Sequence, residues 1–327
     1  MENDVICAAV NVKKYFAARM RSRLFGKRRY VHAVDGVSFE ISKGETFGLV
    51  GESGCGKTTL ANLVMRLEQF DSGDIIIKGK ALSTLNRKQR NELCRQVQMI
   101  FQDPYTSLSP LKDISYSLRE PLAIHNLYDN GRTRMEKVRE MLETVGLPTS
   151  EDFLEKRPME LSGGQQQRVG FARALLLEPD FMVCDEPVSM LDASLKAEII
   201  ALLMKLKQEK ELTYLFITHE LGVAYAICDR IAVMYTGKLV ELGTADNIVN
   251  EPLHPYSQLL LEAIPPLHPD PKWASNILEG EVPHFIEPPS GCRFHPRCRY
   301  AKNICKVEEP DLKEVVPGHY VACYEVL

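Results

Sequence analysis

The sequence predicts an α/β fold with a core of parallel strands. Three observations carry that expectation. Short, continuously apolar, β-branched runs recur along the chain, as in strands covered on both faces. Helical apolar patterns lie between them, and one run is followed at once by a glycine-rich loop and a helical pattern.

In chain order the strand candidates are Val37 to Ile41, Thr46 to Val50, Val97 to Phe101, Phe181 to Cys184, Tyr214 to Ile217 and Ile231 to Met234. Between Phe101 and Leu161 strand character fades. The patterns around Asp113 to Ile124 and Arg132 to Val145 are helical, so residues 103–157 are expected to form an inserted helical subdomain. Leu195, Ile199, Leu202, Leu203 and Leu206 mark one face of a helix from about Ala193 to Glu209, with Asp192 placed as its N-cap. Nine prolines fall between Pro252 and Pro289, too many for helices or central strands, which predicts an extended crossing segment. No internal repeat is present. The expected organisation is a main domain over 1–243 and a small irregular, cysteine-rich C-terminal extension over 244–327.

The chemistry begins at Gly51-Glu52-Ser53-Gly54-Cys55-Gly56-Lys57-Thr58. In a loop of this spacing, glycines let backbone N–H groups close around phosphates, the lysine reaches the β- and γ-phosphates, and the hydroxyl after it binds Mg²⁺. Gly51, Ser53, Gly54, Cys55, Gly56, Lys57, Thr58 and Thr59 are therefore candidate nucleotide contacts. Cys55 reads as a small filler facing away from the phosphates; a redox switch is the alternative, since helix N-termini lower thiol pKa. A second glycine-rich helix start, Ser162, Gly163, Gly164 and Gln165 after Leu161, offers another anion-binding N-terminus with no phosphate of its own left to bind. Its natural ligand is the phosphate held by another copy. Downstream, Phe181-Met182-Val183-Cys184 leads into the acid pair Asp185-Glu186, the first suited to Mg²⁺ through its water shell and the second to orienting an attacking water or accepting its proton.

In this order the motifs resemble the ATP-binding subunit of ABC transporters, and the tail resembles that of the oligopeptide and dipeptide importer group. The resemblance runs from Asn11 to Cys323. It implies an ABC-type P-loop ATPase that couples ATP hydrolysis to uptake of peptides, or of nickel and some sugars, delivered by an external binding protein. It also implies that the helical insertion touches the membrane subunits. His219 matches the histidine that contacts the γ-phosphate and the attacking water, and Gln102 the glutamine that reaches Mg²⁺ and water as a sensor. Pro187, Ser189 and Asp192 match the loop that faces the opposite subunit. Tyr15 is the best candidate to stack on adenine, with Phe16 next to it as a rival. Ser162 and Gly164 would cap the γ-phosphate on the other subunit's phosphate loop, so that two subunits close on ATP and reopen after hydrolysis. Two departures stand out: Met190 where alanine is usual, and Glu220 where aspartate is usual.

Nine cysteines are unevenly placed, with Cys292, Cys298, Cys305 and Cys323 crowded into the end of the chain. In a reducing compartment such a group points to a metal site rather than a disulfide frame. The gaps are wider than those of a zinc ribbon, and residue types alone leave Zn²⁺ and an iron–sulfur cluster level. Resemblance to the importer tail implies a [4Fe-4S] cluster with a structural role.

The composition is ordinary for a folded chain: 327 residues, net charge −4, 45% hydrophobic and 26% charged. No apolar run approaches the ~18 residues needed to cross a bilayer, and the start lacks a secretory pattern. The expected place is the cytoplasmic face of the membrane, peripherally, beside two transmembrane permease subunits and a second ATPase subunit, often a paralogue. The near-neutral balance argues against a general nucleic-acid binder. Arg19, Arg21, Arg23, Lys27, Arg28 and Arg29 form a basic run without acids, read as a solvated loop or a contact with anionic lipid. The competing function is a soluble ABC ATPase acting on nucleic acid or the ribosome; the long coiled coil or second cassette expected there is absent from the sequence.

Overall fold

The computed structural model describes residues 5–18, 29–103, 108–264, 286 and 288–326. Most of the basic run, and the proline-rich stretch over 265–285, lie outside the described residues. The strands are β1 (Val5–Ala17), β2 (Tyr30–Ser42), β3 (Thr46–Val50), β4 (Ser72–Ile77), β5 (Lys80–Ala81), β6 (Val97–Ile100), β7 (Phe181–Asp185), β8 (Thr213–Thr218), β9 (Arg230–Tyr235), β10 (Lys238–Thr244), β11 (Lys313–Val316) and β12 (His319–Val321). The helices are α1 (Lys57–Val64), α2 (Arg87–Gln96), α3 (Ile114–Ile124), α4 (Gly131–Thr144), α5 (Glu151–Leu154), α6 (Gly163–Leu175), α7 (Ala193–Lys210), α8 (Leu221–Ile227), α9 (Ala245–Asn250) and α10 (Pro255–Glu262). Two compact units result, one of Met1–Thr84 with Ile217–Leu327 and one of Leu85–Phe216.

In the first unit, β3 is buried at every residue and pairs in parallel with β9, Phe47 opposite Arg230 through Val50 opposite Val233. Of the strands expected in the parallel core, the run Val37 to Ile41 departs, and the strands around it are antiparallel too. β1 pairs antiparallel with both β2 and β4, and β5 extends that sheet. The reason is visible in β2: Val37, Phe39 and Ile41 are buried while Ser38 and Glu40 are exposed. That period-two alternation belongs to an antiparallel strand with one covered face, not to a buried parallel one. β10 runs antiparallel to β9, β12 adds to β10, and β11 adds to β12, so the tail extends the sheet edge.

The join between tail and core rests on Glu241 of β10, whose side chain is fully buried. Its carboxylate accepts from the amides of Leu253 (2.7 Å) and His254 (3.0 Å) and lies 2.7 Å from Nε2 of His319 in β12. Helix α10 occupies the start of the stretch expected to be extended. Pro255 is tolerated there because it sits in the first turn of α10, where no N–H is needed.

His254 caps α10, its Nδ1 accepting from the amide of Tyr256 at 3.0 Å. Burial pushes its pKa down from 6.5 to about 3. The imidazole is thus neutral in the native chain and protonated in the unfolded one below pH 6.5. Stability contributed by this site is therefore intact above about 6.5 and falls as pH drops towards 3, by up to ~1.4 kcal/mol per pH unit. A His254→Asn variant, which keeps a capping oxygen but cannot titrate, is expected to show a shallower acid limb in urea unfolding between pH 6.5 and 4. Parallel limbs would contradict it.

In the second unit β6 and β7 pair in parallel, Val97 opposite Phe181 through Ile100 opposite Cys184, with β8 next to β7. Helices α3, α4 and α6 pack on one another, burying Ile114, Leu118 and Leu122 of α3 and Val138, Met141 and Leu142 of α4. Asp192 caps α7, accepting from the amide of Leu195 at 3.0 Å. Among the described residues no helix is long and apolar enough to cross a membrane.

Candidate functional site

The loop at 51–56 joins β3 to α1, and two of its glycines are required by close approach. A Cβ on Gly51 would lie 2.2 Å from the carbonyl oxygen of Met234. One on Gly56, whose φ is +110°, would lie 2.1 Å from that of Ala33. No side chain caps α1, which leaves its first amides for an anion. Lys57 is buried and its Nζ donates to the carbonyl oxygens of Gly51 (2.7 Å) and Glu52 (2.9 Å), so the ammonium is held within the loop. Thr58 is exposed and Thr59 half-buried in the first turn. Cys55 is 1% exposed, and burial raises its thiol pKa despite the opposing charge of Lys57. A buried, weakly acidic thiol fits the small-filler reading of Cys55 and not the redox one.

Glu52 is held from three sides. Its amide donates to the Tyr256 hydroxyl (2.9 Å), its carbonyl accepts from Lys57, and its carboxylate receives both terminal nitrogens of Arg297, at 2.9 and 3.1 Å. Tyr15, late in β1, donates its hydroxyl to Asp35 Oδ1 at 2.5 Å and lies 4.3 Å, centroid to centroid, from His32. The other Asp35 oxygen receives Arg293. Burial alone would raise the Asp35 pKa, but the Tyr15 hydrogen bond and the Lys238 and Arg293 charges outweigh it and hold it at about 2. Phe16 is half-buried with Lys14 over its ring. His219 is exposed immediately after β8.

In the second unit Asp185 is buried at the end of β7, and Glu186 follows at φ +47°. The Glu186 carbonyl accepts from the Ser189 amide (3.2 Å) and hydroxyl (3.0 Å), and Gln102 Nε2 donates to its carboxylate at 3.0 Å. Ser162 caps α6 reciprocally: its Oγ accepts from the Gln165 amide and Gln165 Oε1 accepts from the Ser162 amide. Ser162 and Gly163 are exposed, while Gly164 is buried where a Cβ would lie 3.0 Å from Leu195. Gln102, Gly163 and Met190 line one cleft with Gln166 and Gln167. The structure thus brings Gln102 to Glu186, and the Ser162 helix start to the loop before Asp192.

Cys292, Cys298, Cys305 and Cys323 line one pocket, together with His254, Phe294 and Tyr324. Burial pushes the Cys292 thiol up to about 11, and the charges of the other three cysteines add to the shift. Burial also raises Cys298 and Cys323, with the charges of Cys305 and Glu325 adding to both shifts. Among the described residues no group of three or more His, Cys, Asp or Glu is placed to hold a metal ion.

Asp35, Tyr256, Arg293 and Arg297 are neighbours of the loop and of Tyr15 that sequence reasoning missed, and Glu52, though inside the quoted loop, was given no role there. Their partners lie up to 258 positions away, and no local spacing signals them. Gly51 to Thr58 and Asp185-Glu186, by contrast, are contiguous.

Two family models match the chain: "ABC transporter" over residues 34–189 and "Oligopeptide/dipeptide transporter, C-terminal region" over 240–305. The chain is 48% identical over 303 residues to the putative oligopeptide transport ATP-binding protein YkfD of Bacillus subtilis, covering 91% of each chain. It is 47% identical to the oligopeptide transport ATP-binding protein AppF of the same organism, over 98% of this chain and 97% of that one. Its identity to the dipeptide transport ATP-binding protein DppF of Haemophilus influenzae is 41%, over 99% and 98%. A solved dimeric ATP-binding cassette, MJ0796, in a post-hydrolysis state with ADP and Pi, is 28% identical with a TM-score of 0.64. The match covers 73% of this chain and 99% of that one.

Proposed function

We propose the function from one premise: this chain belongs to the ABC transporter family of ATP-binding subunits, in the group with the oligopeptide/dipeptide C-terminal region. It is an ATPase that drives a membrane importer, and the cargo is oligopeptides or dipeptides. The carrying observation is the near full-length match to peptide-transport subunits, tail included. The alternative of a soluble ATPase acting on nucleic acid or the ribosome loses its ground there.

The division of labour follows from the side chains. Lys57 and the amides of the 51–58 loop bind the β- and γ-phosphates, and Tyr15 stacks on adenine. By the family resemblance Thr58, Gln102 and Asp185 are the residues that would hold Mg²⁺, which would supply charge neutralisation at the phosphates. Glu186 takes the proton of the water that attacks the γ-phosphorus, while Gln102 fixes the Glu186 carboxylate and His219 contacts the γ-phosphate. Ser162, Gly163, Gly164 and Gln165, with Asp192, face the nucleotide of a second ATPase subunit, which we assign to a paralogue. The ATPase domain is 1–243, its helical insertion (103–157) grips two permease subunits at the cytoplasmic face, and 244–327 is the extension. An external binding protein delivers the cargo.

The four tail cysteines are assigned to a [4Fe-4S] cluster. What supports the assignment is that the four thiols line one pocket, as a cubane that takes each thiolate at a different iron requires. Its contribution is to pin a tail with few apolar residues.

The test is reconstitution, from anaerobically purified protein, with the paralogous subunit and permeases in vesicles. Peptide-loaded binding protein is expected to raise ATP hydrolysis several-fold, with about four irons and four sulfides per chain, lost in Cys298→Ser. Stimulation by RNA or ribosomes but not by permeases would overturn the transport reading, and stoichiometric zinc would overturn the cluster alone.

A further inference from the structure

The phosphate loop carries an acid. Glu52 lies between Gly51 and Ser53, where a triphosphate with several negative charges is to be bound, and a free carboxylate there would repel it. The structure disposes of that charge through the tail. Arg297, in the turn between Cys292 and Cys298, takes the Glu52 carboxylate in a two-point contact (2.9 and 3.1 Å), the strongest geometry available to such a pair. The Arg297 side chain is 5% exposed and that of Glu52 19%, so solvent screens the pair little. Arg297 is fixed in turn by the Tyr235 hydroxyl at 3.4 Å, and Tyr235 packs against Tyr256 and Phe294. Tyr256 holds the Glu52 amide from the same side. Backbone and side chain of one loop residue are thus both set by groups from residues 235–297, while Lys57 holds the Glu52 carbonyl.

We propose that Arg297, supplied by the cysteine-rich tail, is a positioning residue for nucleotide binding that neutralises the Glu52 carboxylate and holds it away from the phosphates. The proposal rests on residues 51–58 being the phosphate loop. The tail then does more than cover the core, because ATP affinity depends on the segment between Cys292 and Cys298 being in place. Arg293, bonded to Asp35 and through it to Tyr15, lies in the same segment.

The experiment measures ATP and ADP binding to the full-length protein by competition with a fluorescent ATP analogue. Arg297→Gln frees a charged Glu52 and is expected to weaken ATP binding about tenfold. Adding Glu52→Gln to it removes the stranded charge and should recover most of the affinity, an improvement that a tail merely needed for folding would not give. Glu52→Asp, too short for the two-point contact but still charged, should weaken binding more than Glu52→Gln, and it tests the idea with the tail untouched should Arg297→Gln fold poorly. Arg299→Gln, breaking an exposed pair with Glu262 in the same tail, is the control with parental affinity. A double variant no better than Arg297→Gln, or Glu52→Asp binding like the parent, overturns the proposal. A parent that binds no ATP overturns instead the reading of the loop itself.

Discussion

Replacing Glu186 by glutamine is expected to lower ATP hydrolysis by about 10²–10⁴-fold while leaving ATP bound, the range that removal of a positioned general base produces. The substitution preserves size and the contact with Gln102, so what is lost is the ability to take a proton. The backbone holds Glu186 ready for that role. It turns at φ +47° immediately after buried β7, and Ser189 secures its carbonyl twice. Single-turnover hydrolysis with measured ATP affinity is the check, together with gel filtration of the subunit pair in ATP. Because ATP would persist, the pair should remain closed. Hydrolysis within a few-fold of the parent would move the base to another residue.

The second large effect is on stability. Glu241→Ala is expected to destabilise the first unit by about 3–5 kcal/mol, the cost of breaking a buried charged network by deleting one member. Two backbone amides and the His319 ring converge on that carboxylate, and alanine would leave all three without it in a dry site. The expected signature in urea is an early transition, accompanied by proteolysis after residue 244 while the second unit stays protected. Glu241→Gln, which keeps one accepting oxygen, should lose less. A midpoint unchanged in Glu241→Ala would show that the tail is secured elsewhere.

Legibility in the sequence follows distance along the chain. The buried strands β3, β7, β8 and β9 are readable because continuous apolar runs have few other uses, and Asp192 is readable because a cap acts within three residues. The antiparallel sheet is lost when Val37 to Ile41 is read as an apolar run, because its alternation carries the information. β1 begins on a continuous apolar run, Val5 to Val10, that sequence reasoning passed over, whereas in β10 the apolar pattern is interrupted by Glu241, whose partner His319 is met only in three dimensions. The nucleotide contacts are legible as contiguous motifs, whereas the ion pairs from Arg293 and Arg297 are not. An arginine beside a cysteine in a tail carries no sign of which distant acid it will meet.

The pairing of β12 along β10 has a consequence for how readily such a protein could lose its tail. An unpaired outer strand is a hazard, since it invites pairing with other chains and aggregation. Here the tail closes β10 by simple strand addition, leaving the buried strands as they are. MJ0796 is matched over 99% of its length by only 73% of this chain. The tail is seated by the β12–β10 pairing together with the buried Glu241 and the ion pairs from Arg293 and Arg297. Once seated it is hard to discard: a descendant that lost the tail would have to protect the bare edge by other means.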